Sequence, residues 1–412
     1  MSLLNRISRN AKDRINSLRT ASSLSFAIDK AVFRATKTSG AKTGAERWHV
    51  LVAPPGGGNI GDQAMVEAYL ENTSGPVRIV ARNPGDIRVP AEHATRAQIE
   101  VLPGLIYGNG RTHARAVSAL AHLLASARSV TVVGADIMDG AYHIGASARR
   151  ADIATLASSS GIDARILGFS WNGRAKPGAR RALARAAKSG TQLLLRDPVS
   201  VERARADGLA NVTEVADSVF SARTSSMAAA EEFLGATSAP YALVNASGLV
   251  GRSMDQITEY ATVVRSLIDA GLTVVLLPHV VRASGDDAAA CLAVFERVKD
   301  PRVVLVTRVL EPAEVRGLTA GATLVLTGRM HLAIQSFWNG VPAITLSTQG
   351  KVEGLMKLFG TEALCVEPGP GLADRILPVS TDLLERPEFY RDDIALRLPG
   401  VVRLANRNFA GL

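Results

Sequence analysis

Cysteine is nearly absent from this chain. Cys291 and Cys365 are its two thiols, far apart and without short ligand spacing, which argues against a disulfide framework and a thiolate metal site. Long apolar runs are missing too: none approaches the ~20 residues that span a bilayer, and the first residues lack the apolar block of a secretory signal. There is no GK[ST] sequence, which excludes a P-loop, and no cluster of His, Cys, Asp or Glu with metal-ligand spacing. Aromatic residues make up 5% of the chain, and no dense basic stripe interleaves with them in its body, so nucleic acid is not an expected partner. These absences describe a protein of the reducing cytosol, at most peripheral to a membrane, working without a metal or organic cofactor.

What is present is core material. With 412 residues, 47% of them hydrophobic, the chain is long enough for two domains of about 150 to 200 residues each. Runs rich in Val, Leu and Ile alternate with helical patterns, which predicts the α/β class with parallel sheets covered on both faces. The net charge of +9 is concentrated at one end: residues 1–47 hold ten Lys or Arg against Asp13, Asp29 and Glu46. Leu4, Ile7, Ala11, Ile15 and Leu18 recur there at helical spacing among Arg6, Arg9 and Arg14, a basic amphipathic pattern suited to an anionic membrane surface or to a protein partner. Residues 36–46 read as a linker. The expected organisation is an arm and linker (1–47), an N-terminal domain (48–225), a C-terminal domain (238–385) and a tail with one further helix (386–412).

Candidate ligand loops follow the strands. After Trp48 to Ala53 comes PPGGGNIGD, whose glycines let the backbone approach a ligand or another loop closely. Gly56, Gly58 and Gly61 match the dinucleotide fingerprint, yet the next strand, Val77 to Ala81, ends in Arg82 and Asn83 where a ribose-binding acid is expected, which argues against NAD and leaves NADP open. The loop GADIMDGAYH places Asp136 and Asp139 past another strand end, as ligand groups or as caps of the next helix. Trp171 offers a flat face for a sugar or fills the core. Arg196 reaches for a ligand or pairs with Asp197, and His279 sits in a loop after a central strand.

The most informative stretch is LVLTGRMHLAIQSFWNGV, Leu324 to Val341. An apolar strand turns at Thr327 and Gly328 into a helix opening at Met330, so Arg329 and His331 stand at a helix start, where unpaired N–H groups and a partial positive charge favour a phosphate or carboxylate. The alternative is that Arg329 pairs with a local acid and His331 caps the turn. A second helix start, with Lys351 and Glu353, lies shortly downstream.

The loops GGGNIGD and GADIMDG, the strand end GFSWN, then RDPVS, ADSVF, a PH pair, GRMHLAIQSFWNGVPAI and KVEGLMKLFG occur in the order seen in the polysaccharide pyruvyl transferase family, and the chain resembles that family over about residues 48–385. The resemblance implies a GT-B-like architecture, two Rossmann-like domains facing across a cleft. It also implies transfer of pyruvate from phosphoenolpyruvate onto two hydroxyls of a saccharide, free or lipid-linked, as a cyclic ketal. The family's Arg-hydrophobic-His turn falls on Arg329, Met330 and His331, and Arg196 matches a second donor contact. Where many members carry Gly-Gly-Gly before an aspartate, this chain has Val133, Gly134 and Ala135. In this reading His331 transfers the proton, and Asp62 or Asp136 takes one from an acceptor hydroxyl. Arg329 with Lys351 or Arg196 holds the two anionic groups, and Asn59, Gly61, Trp171, His279 and Glu353 complete the substrate contacts. Two other classes stay open: a GT-B glycosyltransferase using a nucleotide sugar, with Glu353 on the ribose, and a non-catalytic membrane-associated scaffold.

Overall fold

A computed structural model describes residues 20–36, 47–235, 239–252, 254–282, 286–347 and 352–412. The amphipathic pattern of residues 4–18, the linker through residue 46 and Lys351 lie outside the described residues. By compactness the chain divides into two units: residues 1–55, 72–216 and 407–412 form one, residues 56–71 and 217–406 the other.

The first unit is a parallel sheet of β1 (Trp48–Val52), β2 (Val77–Ala81), β3 (Ala97–Val101), β4 (Ala127–Val133), β5 (Asp163–Phe169), β6 (Gln192–Leu195) and β7 (Val212–Glu214), in the order β3-β2-β1-β4-β5-β6-β7. Its apolar strands are buried on both faces because helices cover both, so they show no polar alternation. The helix Ile144–Ser158 is the one expected after the loop GADIMDGAYH, but no amphipathic period marks its bounds. It is rich in alanine and buried from Gly145 to Ala157, so no polar face marks its period. Its buried charges are matched: Arg149 donates to the carbonyls of Ile106 and Gly108 at 2.7 and 2.6 Å, and Asp152 pairs with Arg185 at 2.6 Å. The helix Ser23–Thr36, which the sequence reading left inside the arm, joins this core through Phe26 and Phe33 and an Asp29–His113 pair at 3.0 Å. At the other end of the chain, Asn408 and Ala410 accept hydrogen bonds from the buried Arg165.

The second unit repeats the plan with β8 (Tyr241–Asn245), β9 (Thr273–Leu276), β10 (Val303–Leu305), β11 (Leu324–Thr327), β12 (Ala343–Leu346) and β13 (Cys365–Val366), ordered β10-β9-β8-β11-β12-β13 and parallel throughout. It also claims the glycine loop and the helix Ile60–Glu71, which the sequence reading placed in the first domain. That helix carries Glu67, buried and 3.5 Å from the guanidinium of Arg316. Burial pushes the Glu67 carboxyl from 4.5 to about 7, against the pull of Arg316. Between those values the folded chain keeps a proton that the unfolded chain has lost. Stability from this group is therefore full below the lower value and declines as pH rises, by at most about 1.4 kcal/mol per pH unit. Urea midpoints taken from about pH 5 to about pH 8 should show that slope, and Glu67→Gln should flatten it.

Candidate active site

The chain runs outward from β8 through β9 to β10, then crosses to β11 on the other side of β8. Open α/β sheets bind ligands outside the carboxyl ends of strands at such a reversal. Here those ends are Asn245 and Thr327. Gly328 follows because there is no room for a side chain: a Cβ on it would stand 2.7 Å from Cβ of Ser247, in the loop after β8. The turn is fixed by Thr327, whose Oγ1 accepts the Arg329 N–H at 2.8 Å. The helix Met330–Trp338 then starts with no side chain capping it, whereas Asp197, Asp255 and Asp286 cap other helices.

Arg329 pairs with Asp287, a fully buried carboxylate on the helix Asp287–Val298. Its Nη2 lies 2.6 Å from Oδ1, and its Nε 3.2 and 3.1 Å from the two oxygens. Asp287 also accepts from Asn245 Nδ2 and from the backbone N–H groups of Gly248, His279 and Val280, at 2.9 to 3.2 Å. One carboxylate thus ties the loops after β8 and β9 to the turn after β11. The expected role of Arg329 is modified accordingly: a local acid matches its charge, and the pairing orients the guanidinium plane. The side chain remains 11% exposed.

His331, the second residue of this helix, is 14% exposed, with Nε2 3.5 Å from Oδ2 of the buried Asp217. Its other edge packs on the glycine loop, where a Cβ on Gly61 would stand 2.4 Å from Nδ1. The loop itself is clamped to residues 279–281: Val281 N donates to Gly58 O at 2.7 Å, Ile60 N to His279 O at 3.2 Å, and Asn59 and Val280 form an antiparallel bridge. Gly58 sits at φ +74°, with Val281 O 2.0 Å from where its Cβ would be, so the glycines serve close loop packing and not a dinucleotide. Asp62 Oδ2 accepts the Gly56 N–H, and Asn59 Oδ1 accepts that of Gly61. Asp62, expected at an acceptor hydroxyl, is buried and braces this loop.

His279 is buried beneath the turn and not solvated. Burial first, then the nearby charges of His331 and Arg329, hold its imidazole well below the ordinary range. Neutral, its Nε2 can accept from Gln335 Nε2 at 3.4 Å, and the same amide donates to His331 O at 3.2 Å. Met330 is half-buried at the helix start, and Glu353 is exposed in the first turn of the helix Val352–Phe359.

The remaining expected residues lie in the first unit. Asp136 is partly exposed past β4 and accepts from Tyr142 OH at 3.1 Å. Neither it nor Asp139 caps the next helix: His143 does, through Nδ1 and the Ala146 N–H at 3.0 Å. Ala135 holds φ 46°, a conformation that glycine adopts more readily. Trp171 has no free face for a sugar. It is 1% exposed, with Nε1 donating to Asp207 Oδ2 at 2.8 Å. Trp171→Phe should cost about 1.5 to 3 kcal/mol by losing a bond to a charged acceptor, read as a lower urea midpoint. Arg196 is buried as well, its Nε donating to Ser170 Oγ at 2.8 Å, while Asp197 caps the helix Pro198–Ala206. It packs where a donor contact was expected.

Asp217 and Asp287 are the residues that sequence reading missed as site residues. The double acid Asp286–Asp287 shows only as a helix start, since one of the pair caps it. Among the described residues no group of three His, Cys, Asp or Glu could hold a metal ion, and no helix is long and apolar enough to cross a membrane.

Solved structures share this α/β fold of two Rossmann-like sheets. The Neisseria meningitidis UDP-GlcNAc 2-epimerase, solved with UDP-GlcNAc, aligns at 11% identity over 87% of this chain and 97% of its own, with a TM-score of 0.56. The Anabaena protein HepE, in complex with UDP and glucose, aligns at 12% identity over 89% and 98%, TM-score 0.54. Sucrose-phosphate synthase from Thermosynechococcus elongatus gives 12% identity over 88% and 97%, TM-score 0.55. At such identities the likeness is one of fold, the GT-B type. No curated protein matches the chain in sequence. The stretch from the second strand of the first sheet to the loop after β12 is more specific: residues 76–350, more than half of the chain, match the family model for polysaccharide pyruvyl transferase, and the chain belongs to that family.

Proposed function

We propose that this chain transfers pyruvate from phosphoenolpyruvate to two hydroxyls of a saccharide, forming a ketal and releasing phosphate. The observation that carries the proposal is the partly exposed His331 at an uncapped helix start, beyond the carboxyl end of β11 and beside the oriented Arg329. Uncapped N–H groups and the helix dipole suit the donor's phosphate or carboxylate, and an imidazole can both give and take a proton.

The chemistry divides into proton transfer and two additions. His331 gives a proton to the donor's methylene carbon while the C=C electron pair forms the new C–H bond. One sugar hydroxyl adds to the resulting cationic carbon, phosphate leaves with its bonding pair, and the second hydroxyl closes the ketal. Of the two hydroxyl protons, one restores His331 and the other leaves with phosphate. We assign no resident metal to the reaction, so turnover is expected to survive EDTA. The acceptor is placed at the cytoplasmic membrane face, lipid-linked, with the ten cations of residues 1–47 drawing the protein to anionic lipid.

The test is to incubate the protein with phosphoenolpyruvate and a panel of oligosaccharides, following inorganic phosphate together with the mass gain of a pyruvate ketal on the sugar. Phosphate without sugar modification would count against transfer. A protein stabilised thermally by UDP- or GDP-sugars and not by phosphoenolpyruvate would instead be a nucleotide-sugar glycosyltransferase.

A further inference from the structure

The two nitrogens of His331 have different surroundings. Nε2 is sealed from solvent without a hydrogen bond of ordinary length, and it faces the Asp217 carboxylate at 3.5 Å. Nδ1 lies on the opposite side of the ring, at the edge that packs over Gly61, where even a methyl group would be 2.4 Å away. Asp217 is itself anchored: Oδ1 accepts the Val219 N–H at 3.0 Å and starts the short turn Ser218–Ser221. The other charged or titratable groups near this ring are Arg329 from its own turn, Asp62 beside Gly61, and His279 beneath, which burial keeps neutral. Of these, Asp217 is the acid paired with the ring.

Resting on the pyruvyl-transfer reading, we infer that Asp217 is a positioning residue that holds His331 by Nε2–H, so that Nδ1 is the nitrogen that delivers the proton to the donor's methylene carbon. The carboxylate fixes the tautomer and ring orientation and stabilises the imidazolium, as a buried acid does for a catalytic histidine. The proton leaves Nδ1 as the donor's C=C pair captures it, and the same nitrogen takes one back from an acceptor hydroxyl.

The experiment compares the parent with Asp217→Asn and Asp217→Glu. Asparagine keeps an oxygen for the Val219 N–H, so the turn persists while the charge is removed. The kcat of Asp217→Asn should fall roughly 10-fold, because no carboxylate then fixes the tautomer and orientation of the ring. Asp217→Glu should restore most of it, with KM for phosphoenolpyruvate little changed. Independently of turnover, ¹⁵N-histidine spectra, with the His331 signals assigned by their loss in His331→Gln, should show Nε2 protonated in the neutral parent ring. An Asp217→Asn kcat equal to the parent's, or a neutral parent ring protonated at Nδ1, overturns the inference. Spectra that behave as expected in a protein that never consumes phosphoenolpyruvate uphold the pair and overturn the pyruvyl-transfer reading instead.

Discussion

His331→Gln should lower kcat for pyruvyl transfer by about 10² to 10⁴, the usual worth of a positioned acid or base. The loss should appear in kcat more than in donor affinity, because the helix start and Arg329 are untouched. Phosphoenolpyruvate should therefore still raise the melting temperature of the variant. The fold should tolerate the change: the imidazole is partly exposed and makes no hydrogen bond of ordinary length through Nε2. Initial-rate phosphate release over a range of donor concentrations, with thermal-shift titration, checks both halves. A variant within a few-fold of the parent kcat would remove His331 from the chemistry and leave the helix start as a binding element only.

Asp287→Ala should be the most destabilising single change near the site, by about 3 to 5 kcal/mol, because it strands a mostly buried guanidinium. The same deletion leaves the N–H groups of Gly248, His279 and Val280 without this acceptor, each a further cost when buried. Activity should fall with stability, since Asp287 orients Arg329 and holds the loops after β8 and β9 against the turn. Removing the charge from both partners, in Asp287→Leu with Arg329→Met, should cost less than the two single changes summed, since no lone charge stays buried. Urea midpoints of the four proteins decide it: additive losses would show that the pair is not coupled and that the carboxylate acts through the backbone alone.

What could be read in advance had local causes. The turn from β11 into the helix at Met330 was legible from an apolar run, a glycine and a new periodicity. The bounds of the helix Ile144–Ser158 were not legible, because a helix buried on all sides shows no amphipathic period. Three loop residues stayed ambiguous: Trp171 read as a sugar face or as core, Arg196 as a ligand contact or a partner of Asp197, and His279 as a loop residue after a central strand, and all three prove buried, which single positions do not reveal.

The sequence by itself determined the α/β class, the two parallel sheets and the Arg-Met-His turn, because periodicity, turn chemistry and motif order are properties of neighbouring residues. Only the tertiary structure decided that Arg329 is matched by an acid 42 residues away, that Gly61 backs the ring of His331, and that Asp217 faces it. Those pairings are made by strand order and helix packing, which bring together side chains that no local pattern connects.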